Sequence, residues 1–214
     1  MEGIIFDIDG VLVDTQRQYN EGWIWSLSQY GKTISEELLA SFQGSPSSVN
    51  KAAFDKVYCG TVDYEEARCL RNKYILKVRE REGISPKAGL TELFNEIRKI
   101  KIPCAVATAS ADIENIQKTL QYINIYGDLC AVITGNDVKH GKPNPDIFLK
   151  AAEKLKVNPK NCIVVEDSIN GIIAGHRAGM RVIHIPDTIV IDEKTRLLTW
   201  KICKQLNDII PLLN

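Results

Sequence analysis

The chain has 214 residues and a mass of 24.0 kDa, enough for one or two domains with a sizeable core. Its 27 Lys and Arg residues balance 27 Asp and Glu residues, which argues against nucleic-acid binding through a bulk basic field and against an acidic solvating tail. The N-terminus lacks a signal-peptide pattern, and no stretch approaches about 18 consecutive apolar residues, so we predict a cytoplasmic protein with reduced thiols and no membrane partner.

The N-terminal part of the chain predicts one strand followed by a helical insert. Gly3 to Phe6 form a short apolar run that stops at Asp7, which is typical of a buried strand leading into a polar loop. From Gln16 to Glu82 the apolar spacing is helical, which predicts a small helical bundle. Its predicted breaks are Gly31, Gly44-Ser45-Pro46 and Gly60. We expect Trp23, Trp25 and Tyr30 to pack in the core of this bundle.

After residue 85 the pattern alternates between strands and helices. The predicted strands cover 103–108, 131–134, 162–165 and 181–185, and the predicted helices cover 90–100, 113–122, 145–155, 169–178 and 200–208. This alternation indicates βαβ units, hence an α/β fold with a mostly parallel sheet covered by helices on both faces. We assign residues 1–14 and 85–214 to this core and residues 15–84 to the insert. Among the scattered cysteines, we expect three in apolar runs to be buried, namely Cys104, Cys130 and Cys162.

Several polar residues follow the predicted strands, where an open parallel sheet binds its ligands. They are Asp7 and Asp9, then Thr108, Ala109 and Ser110, then Lys142, and finally Glu166 and Asp167. Four carboxylates at one edge repel one another, and a divalent cation with oxygen ligands, such as magnesium, offsets that repulsion. A lysine, a hydroxyl and nearby backbone amides can hold the oxygens of a phosphoryl group. The pattern therefore predicts phosphoryl-transfer chemistry.

Asp7 and Asp9 suit two complementary roles in that chemistry. One carboxylate can attack phosphorus and form an aspartyl phosphate. Its neighbour can protonate the leaving oxygen and then deprotonate the water that releases phosphate. Taken alone, Asp7 and Asp9 before Gly10 could equally be a turn with capping residues. The match of Thr108, Lys142 and Asp167 at the other strand ends favours the catalytic interpretation.

The segment FDIDGVLVDT, residues 6–15, resembles the opening motif of the haloacid dehalogenase superfamily in its phosphatase form. Three further motifs match in order: Thr108 at a strand end, Lys142 in GKPNPDIF, and Glu166-Asp167 in VVEDSINGIIAG. The resemblance implies a Rossmann-like parallel sheet core with an inserted α-helical bundle cap. It implies that Asp7 is the nucleophile and Asp9 the general acid/base.

The resemblance also implies the ligands of the site. Mg²⁺ would be held by Asp7, the backbone carbonyl of Asp9 and Asp167, with Glu166 supporting that shell. Thr108 and Lys142 would hold the phosphoryl oxygens, together with backbone amides near Ala109.

Within the superfamily, the sequence is most similar to the hydrolases of the β-phosphoglucomutase and phosphoglycolate-phosphatase type. The true dehalogenases lack an acid two residues after the nucleophile, so Asp9 argues against that reaction. The mutases commonly have a histidine where this chain has Tyr19, and a cap arginine where it has Ser47. We therefore predict a hydrolase of small phosphorylated metabolites. A sugar phosphotransferase and a non-catalytic binding or regulatory protein that kept the fold are the alternatives.

The remaining candidate residues lie in or beside the cap. Asp14 and Thr15 could organise the loop leading into the cap or contact the ligand, and Tyr19 lies near them. Arg71 is a candidate cation facing the substrate. We expect His140 to lie on a surface loop and His184 to be structural. A monomer is the default oligomeric state.

Overall fold

The computed structural model describes residues 1–42, 45, 47–188 and 190–213. Six strands form one sheet in the order β3-β2-β1-β4-β5-β6, and each neighbouring pair is parallel. The strands are β1 (Gly3–Phe6), β2 (Cys104–Ala107), β3 (Leu129–Ile133), β4 (Cys162–Glu166), β5 (Arg181–His184) and β6 (Lys201–Ile202). The carboxyl ends of β1, β2 and β4 therefore lie side by side, which brings the residues that follow them to one edge.

Helices occupy the insert and alternate with the strands after it. Those of the insert are α1 (Gln16–Ser28), α2 (Glu36–Phe42), α3 (Ser47–Tyr58) and α4 (Tyr64–Glu82). The later ones are α5 (Leu90–Ile100), α6 (Ile113–Tyr122), α7 (Asp146–Leu155), α8 (Ile169–Arg177) and α9 (Glu193–Arg196). Within the described ranges, no helix combines the length and apolar character needed to cross a membrane.

Side chains alternate between the two faces of each strand, and both faces of the sheet are buried. On one face Ile4 and Phe6 of β1 pack against Phe94 of α5. On the other face Ile5 packs in a cluster with Phe148 of α7 and Ile172 of α8. This two-sided burial explains the near-continuous apolar strands of the sequence. It confirms the predicted α/β fold, a parallel sheet of Rossmann type with helices on both faces.

The insert has an aromatic core of its own. The Trp23 ring lies 5.3 Å from Phe42, 5.8 Å from Phe54 and 5.8 Å from Tyr64, measured between ring centroids. Trp25 instead stacks on Tyr74 at 5.4 Å and is half-buried. The division into a core of residues 1–14 and 85–214 and a cap of residues 15–84 stays a proposal.

Glycines of the left-handed region end two segments of the insert, as the sequence predicts. Gly31 follows the end of α1 with a φ of +65°, and Gly60 follows α3 with a φ of +75°. Glycine adopts this conformation without steric cost, which stops each helix. The predicted break at Gly44 and Pro46 lies outside the described residues.

The insert leaves and rejoins the sheet domain at one narrow junction. The amide of Asp14 donates to the carbonyl of Ser85 at 2.9 Å, and the amide of Lys87 donates to the carbonyl of Leu12 at 2.9 Å. Val13 and Pro86 form an antiparallel bridge between them. Departure and return are thus fastened to each other by backbone hydrogen bonds.

Two predictions for this part of the molecule are wrong. The helix expected over 200–208 is replaced by β6 and by a 3₁₀ helix over Leu206–Leu212, because the amides of Trp200 and Cys203 donate to β5 carbonyls at 2.7 and 3.0 Å. Cys130 is exposed, since it lies on the edge strand β3, while Cys104 and Cys162 are buried. All six cysteines lie within the described ranges and form no disulfide.

Candidate active site

A buried chain of charges joins three of the predicted site residues. The Nζ of Lys142 donates to Asp7 Oδ1, to Glu166 Oε1 at 2.7 Å and to the carbonyl of Ala107 at 3.1 Å. Lys142 also lies over the ring of Phe148, with 4.9 Å between Nζ and the ring centroid. The ends of β1 and β4 therefore present two carboxylates to one ammonium group.

The environment shifts the pKa values of Asp7 and Lys142, the ion pair at the centre of this cluster. Burial raises the pKa of Asp7 from 3.8 to about 7, with Lys142 opposing the shift and Glu166 adding to it. Burial lowers the pKa of Lys142, but the charges of Asp7 and Glu166 outweigh it, and the net shift is upward. Lys142 therefore stays cationic beside a carboxyl that is poorly compensated as an anion.

Glu166 is a fully buried anchor rather than a group facing the cavity. Its Oε2 accepts hydrogen bonds from the amides of Asp167 and Ser168, both at 2.8 Å, and from the Ser168 hydroxyl at 2.9 Å. A Cβ at Gly171 would overlap the Glu166 carboxylate, so the first turn of α8 requires glycine there. Ser168, the N-cap of α8, also accepts from the amide of Gly171 at 3.0 Å.

The loop after β1 holds Asp9 through a neighbouring hydroxyl. Thr15, which is fully buried, donates its hydroxyl to Asp9 Oδ1. Gly10 has a φ of +86°, and its amide donates to the carbonyl of Val13 at 2.9 Å. Glycine makes this tight turn possible and brings Thr15 back beneath Asp9. Thr15 therefore contacts a catalytic candidate, whereas Asp14 is exposed and is not part of the cavity lining.

The segment after β2 lies beside Asp7 at the same edge. Thr108 is 2 % exposed, and its hydroxyl accepts a hydrogen bond from the amide of Ser110 at 3.2 Å. Its own amide donates to the carbonyl of Ile133 at 3.0 Å, which extends the β2–β3 pairing by one residue. Ala109 and Ser110 line the cavity above. The turn thus brings Thr108 to the sheet edge, but of these three residues only Ala109 and Ser110 belong to the cavity lining.

The carboxylates at this edge are a suitable donor set for a cation. Asp167 Oδ2 is buried and accepts no hydrogen bond. Burial, together with the charges of Glu166 and Asp7, raises the pKa of Asp167 well above its usual range. In the described part of the chain, no three Asp, Glu, His or Cys side chains are grouped to hold a metal. The implied set of Asp7, Asp167 and the Asp9 carbonyl contains only two side chains, and hard oxygen donors of this kind fit Mg²⁺.

A cavity of about 1060 Å³ lies between the sheet edge and the insert. Asp7, Asp9 and Asp167 line its floor. Its walls include α1 and α4 residues, namely Gln16, Tyr19, Asn20, Trp23, Arg68, Arg71, Asn72 and Arg79. This cavity is the space in which a substrate can reach the carboxylates.

Cations surround Tyr19 in the wall of the cavity. The guanidinium of Arg71 lies 5.2 Å from the centroid of the Tyr19 ring and 4.8 Å from that of Trp23. The guanidinium of Arg79 lies 5.7 Å from the centroid of the Tyr19 ring. The charge of Asp9 and then burial raise the pKa of Tyr19, while burial lowers that of Arg71. Tyr19 and Arg71, two of the predicted candidates in or beside the cap, therefore lie within electrostatic reach of Asp9.

The insert also touches the sheet edge directly. The side-chain amide of Asn170, in the first turn of α8, donates to the Ser45 hydroxyl at 2.8 Å. Ser47, which stands where the mutases place an arginine, lines the cavity and lies 3.3 Å from the Tyr64 hydroxyl. Ser45 thus reaches α8, and both Ser45 and Ser47 line the cavity.

Two of the three histidines lie where the sequence analysis expects them. The exposed ring of His140 lies 3.0 Å from Asp146. His184 is buried in β5 beside the carbonyl of Glu166.

Sequence reasoning missed an ion pair beside this site. Lys87 Nζ donates to Asp187 Oδ1 at 2.5 Å, although 100 residues separate them. Asp187 follows β5, so a reading of every strand end would have found it. Lys87 lies in the segment that leads from the insert back to the sheet, where the sequence predicts no strand. Only the three-dimensional structure therefore shows its partner.

The chain is similar to known phosphatases along nearly its full length. The sequence profile of the haloacid dehalogenase-like hydrolases matches residues 1–179. A probable pseudouridine-5′-phosphatase of Drosophila melanogaster is 34% identical, with 97% of this chain and 90% of that protein covered. Hexitol phosphatase A of Escherichia coli is 29% identical, covering 86% of this chain and 82% of that protein.

Solved structures agree with the fold. A haloacid dehalogenase hydrolase of family IA, variant 3, from Entamoeba histolytica has a TM-score of 0.81 and 26% identity, covering 98% of this chain and 95% of that one. The β-phosphoglucomutase of Clostridium difficile has a TM-score of 0.77 and 23% identity, covering 98% and 93%. At that identity the second likeness concerns the fold alone.

Proposed function

Because the chain belongs to the haloacid dehalogenase-like hydrolase family and is a phosphoric monoester hydrolase, we propose a magnesium-dependent reaction that passes through an aspartyl phosphate on Asp7. Its relatives are phosphatases of small phosphorylated compounds, and a small phosphorylated metabolite is the substrate class. The cytoplasmic location, the monomeric state and the absence of a nucleic-acid partner stay predictions from the sequence.

One observation carries the proposal. Asp7 stands at the carboxyl end of β1 in contact with Lys142, and both Asp7 and Asp9 line the cavity floor. A nucleophilic carboxylate needs a neighbouring cation to bring an anionic phosphate close, and it needs a second acid to protonate the leaving group. Asp7, Lys142 and Asp9 supply these three functions.

The first half of the reaction forms the aspartyl phosphate. An oxygen of Asp7 forms a bond to phosphorus as the bond between phosphorus and the ester oxygen breaks. Asp9 gives its proton to that oxygen, so the product leaves as an alcohol. The hydroxyl of Thr15 fixes the Asp9 side chain for this transfer.

The second half releases phosphate. Asp9, now a carboxylate, takes a proton from water while the water oxygen bonds to phosphorus. The bond between phosphorus and Asp7 breaks, and inorganic phosphate leaves. Asp7 is regenerated as a carboxylate, and Asp9 carries its proton again.

Groups around Asp7 hold the phosphoryl oxygens. Lys142 is the cation of the set, and the Thr108 hydroxyl and the Ala109 backbone amide are its neutral donors. Asp7, Asp167 and the Asp9 carbonyl would hold Mg²⁺, and Glu166 keeps Lys142 and the start of α8 in register. When bound, the ion supplies positive charge that offsets the repulsion between the carboxylates and the phosphate.

The cap supports binding of the rest of the substrate. Tyr19 and Arg71 present a hydroxyl and a guanidinium to a cavity much larger than a phosphate group. Relatives named for pseudouridine 5′-phosphate and hexitol phosphates suggest polyhydroxylated bodies, which accept and donate many hydrogen bonds. The cap closes over the site and excludes water during transfer.

A panel of phosphorylated metabolites, incubated with the protein and Mg²⁺, tests the proposal through released phosphate. We expect turnover with at least one polyol or nucleoside phosphate, and loss of at least about 10³-fold in kcat for Asp7→Asn. Asp128→Asn, which changes an acid paired with Arg98 of α5, is the matched control. Formation of an isomeric sugar phosphate without phosphate release would favour the phosphotransferase alternative. Equal turnover by Asp7→Asn would refute the aspartyl-phosphate route.

A further inference from the structure

Asp187 has one carboxylate oxygen in an ion pair and one without a partner. Its side chain is 8 % exposed, and Oδ1 accepts from Lys87 Nζ at 2.5 Å. The other oxygen, Oδ2, is buried and accepts no hydrogen bond. Native structures rarely leave a charged oxygen in this state, so the free oxygen calls for an explanation.

The free oxygen of Asp187 faces the catalytic edge. A Cβ at Gly10 would overlap Asp167 Oδ2 and would lie 3.1 Å from Asp187 Oδ2. Both oxygens are buried, both lack a donor, and both approach the same side of Gly10. A donor or a cation between them would satisfy both.

Lys87 fixes the direction in which Asp187 points. Its side chain is 17 % exposed, and its backbone amide donates to the carbonyl of Leu12 at 2.9 Å. The lysine is thus tied to the loop that carries Asp9 and Gly10 while its ammonium group holds Asp187 Oδ1. An ion pair that only joined two loops would use either oxygen, and it would not need the second one buried beside Asp167.

We propose that Asp187 is a positioning carboxylate of the magnesium site, whose Oδ2 accepts a hydrogen bond from a water molecule of the ion's hydration shell while Lys87 holds Oδ1. This inference rests on the magnesium-dependent function proposed above. Mg²⁺ keeps several waters when it binds to proteins, and those waters are hydrogen-bond donors. Carboxylates that accept from such groups typically change metal affinity by about 10–100-fold when they are removed.

Calorimetric titration of the full chain with Mg²⁺, without substrate, tests this role directly. We expect Asp187→Asn to weaken Mg²⁺ binding by about tenfold or more. The double variant Lys87→Met/Asp187→Asn should show the same loss, because Lys87 acts through Asp187. The control is Arg98→Met/Asp128→Asn, which removes a different ion pair of 2.7 Å and should leave Mg²⁺ affinity within about twofold.

Urea denaturation in a chelator separates this role from a structural one. Asp187→Asn alone leaves a mostly buried lysine without its partner, whereas the double variant does not, so the double variant should recover metal-free stability but not Mg²⁺ affinity. If Mg²⁺ affinity is unchanged in both variants while the unmodified chain releases phosphate, the proposed role of Asp187 is overturned and the proposed function is not. An unmodified chain that neither binds Mg²⁺ nor releases phosphate would overturn the proposed function and this inference together.

Discussion

Charged side chains are paired differently at the sheet edge and on the cap wall, which is the part of the cavity lined by α1 and α4. At the edge, Lys142 is buried and binds Asp7 and Glu166, so its charge is balanced within the protein. On the wall, Arg71 and Arg79 are half-buried, and neither forms an ion pair with a carboxylate of the described residues. The edge charges are thus paired within the protein, and we expect the two arginines of the wall to be available to a substrate. Changes at the edge should therefore affect stability and kcat, and changes on the wall should affect KM.

The largest expected effect comes from removing the central cation of the edge. Lys142→Met leaves Glu166 and Asp7 buried without their partner, and we expect the free energy of unfolding to fall by about 3–5 kcal/mol. Urea denaturation measures this change. Arg98→Met, which removes an exposed partner of Asp128, should cost less than about 1 kcal/mol. Equal stability of the two variants would contradict the contrast between buried and exposed pairs.

The edge should also make the metal-free protein sensitive to pH. Burial raises the pKa of Asp7 from 3.8 to about 7, so between these values the folded chain keeps a proton that the unfolded chain releases. The free energy of unfolding should therefore fall as the pH rises through this range. Asp167 shifts in the same direction and adds to the effect.

Denaturation with a chelator present, repeated across that pH range, measures this slope. Asp7→Asn removes the contribution of Asp7 and should give a shallower slope. Stability that does not change with pH in the unmodified chain would show that Lys142 fully compensates the burial of Asp7, and stability that rises with pH would show that it more than compensates it.

A smaller effect is expected where the edge meets the cap, at the hydroxyl that holds Asp9. Thr15→Val removes a hydrogen bond to a carboxylate, worth about 1.5–3 kcal/mol, so kcat should fall by about 10–100-fold. Thr15→Ser keeps the hydroxyl and should recover most of the rate. Steady-state kinetics with a single substrate suffice. A Thr15→Val variant that changes only KM would place Asp9 outside the proton transfers.

The smallest effect is expected on the cap wall. Arg71→Gln should raise KM by about fivefold, or about 1 kcal/mol, for a substrate with a polyhydroxylated body. Its kcat should change little, because Arg71 does not contact the reacting groups. Arg81→Gln changes an exposed arginine of the same helix, bound to Glu82, and serves as the control. A large loss of kcat in Arg71→Gln would remove the contrast between wall and edge.

The sequence predicts the edge well because strand ends obey a simple rule. Each parallel strand is a short apolar run, and the residue after it must lie at the common edge, so Asp7, Thr108 and Asp167 could be placed without knowing any contact. The helical insert was equally visible in the spacing of its apolar residues. The roles of these residues in catalysis stay predictions.

Other features depend on long-range contacts that the periodicity of apolar residues in the sequence does not show. Lys87 and Asp187 meet only because the return of the insert and the loop after β5 fold over Gly10. The helix expected over 200–208 fails because β5 offers free carbonyls to that segment, which local propensity cannot register. Cys130 has the apolar neighbours of a buried residue, but its strand is the last in the sheet.

The junction at Val13 and Pro86 separates two parts of the chain that can change independently in evolution. Every strand pairing of the six-stranded sheet is made by residues outside the insert, and the insert is fastened where the chain leaves and returns. An exchange of the whole insert would therefore break no strand pairing and remove no carboxylate of the edge. With the roles proposed above for the cap and the edge, such an exchange would change which substrate is recognised and leave the reaction the same.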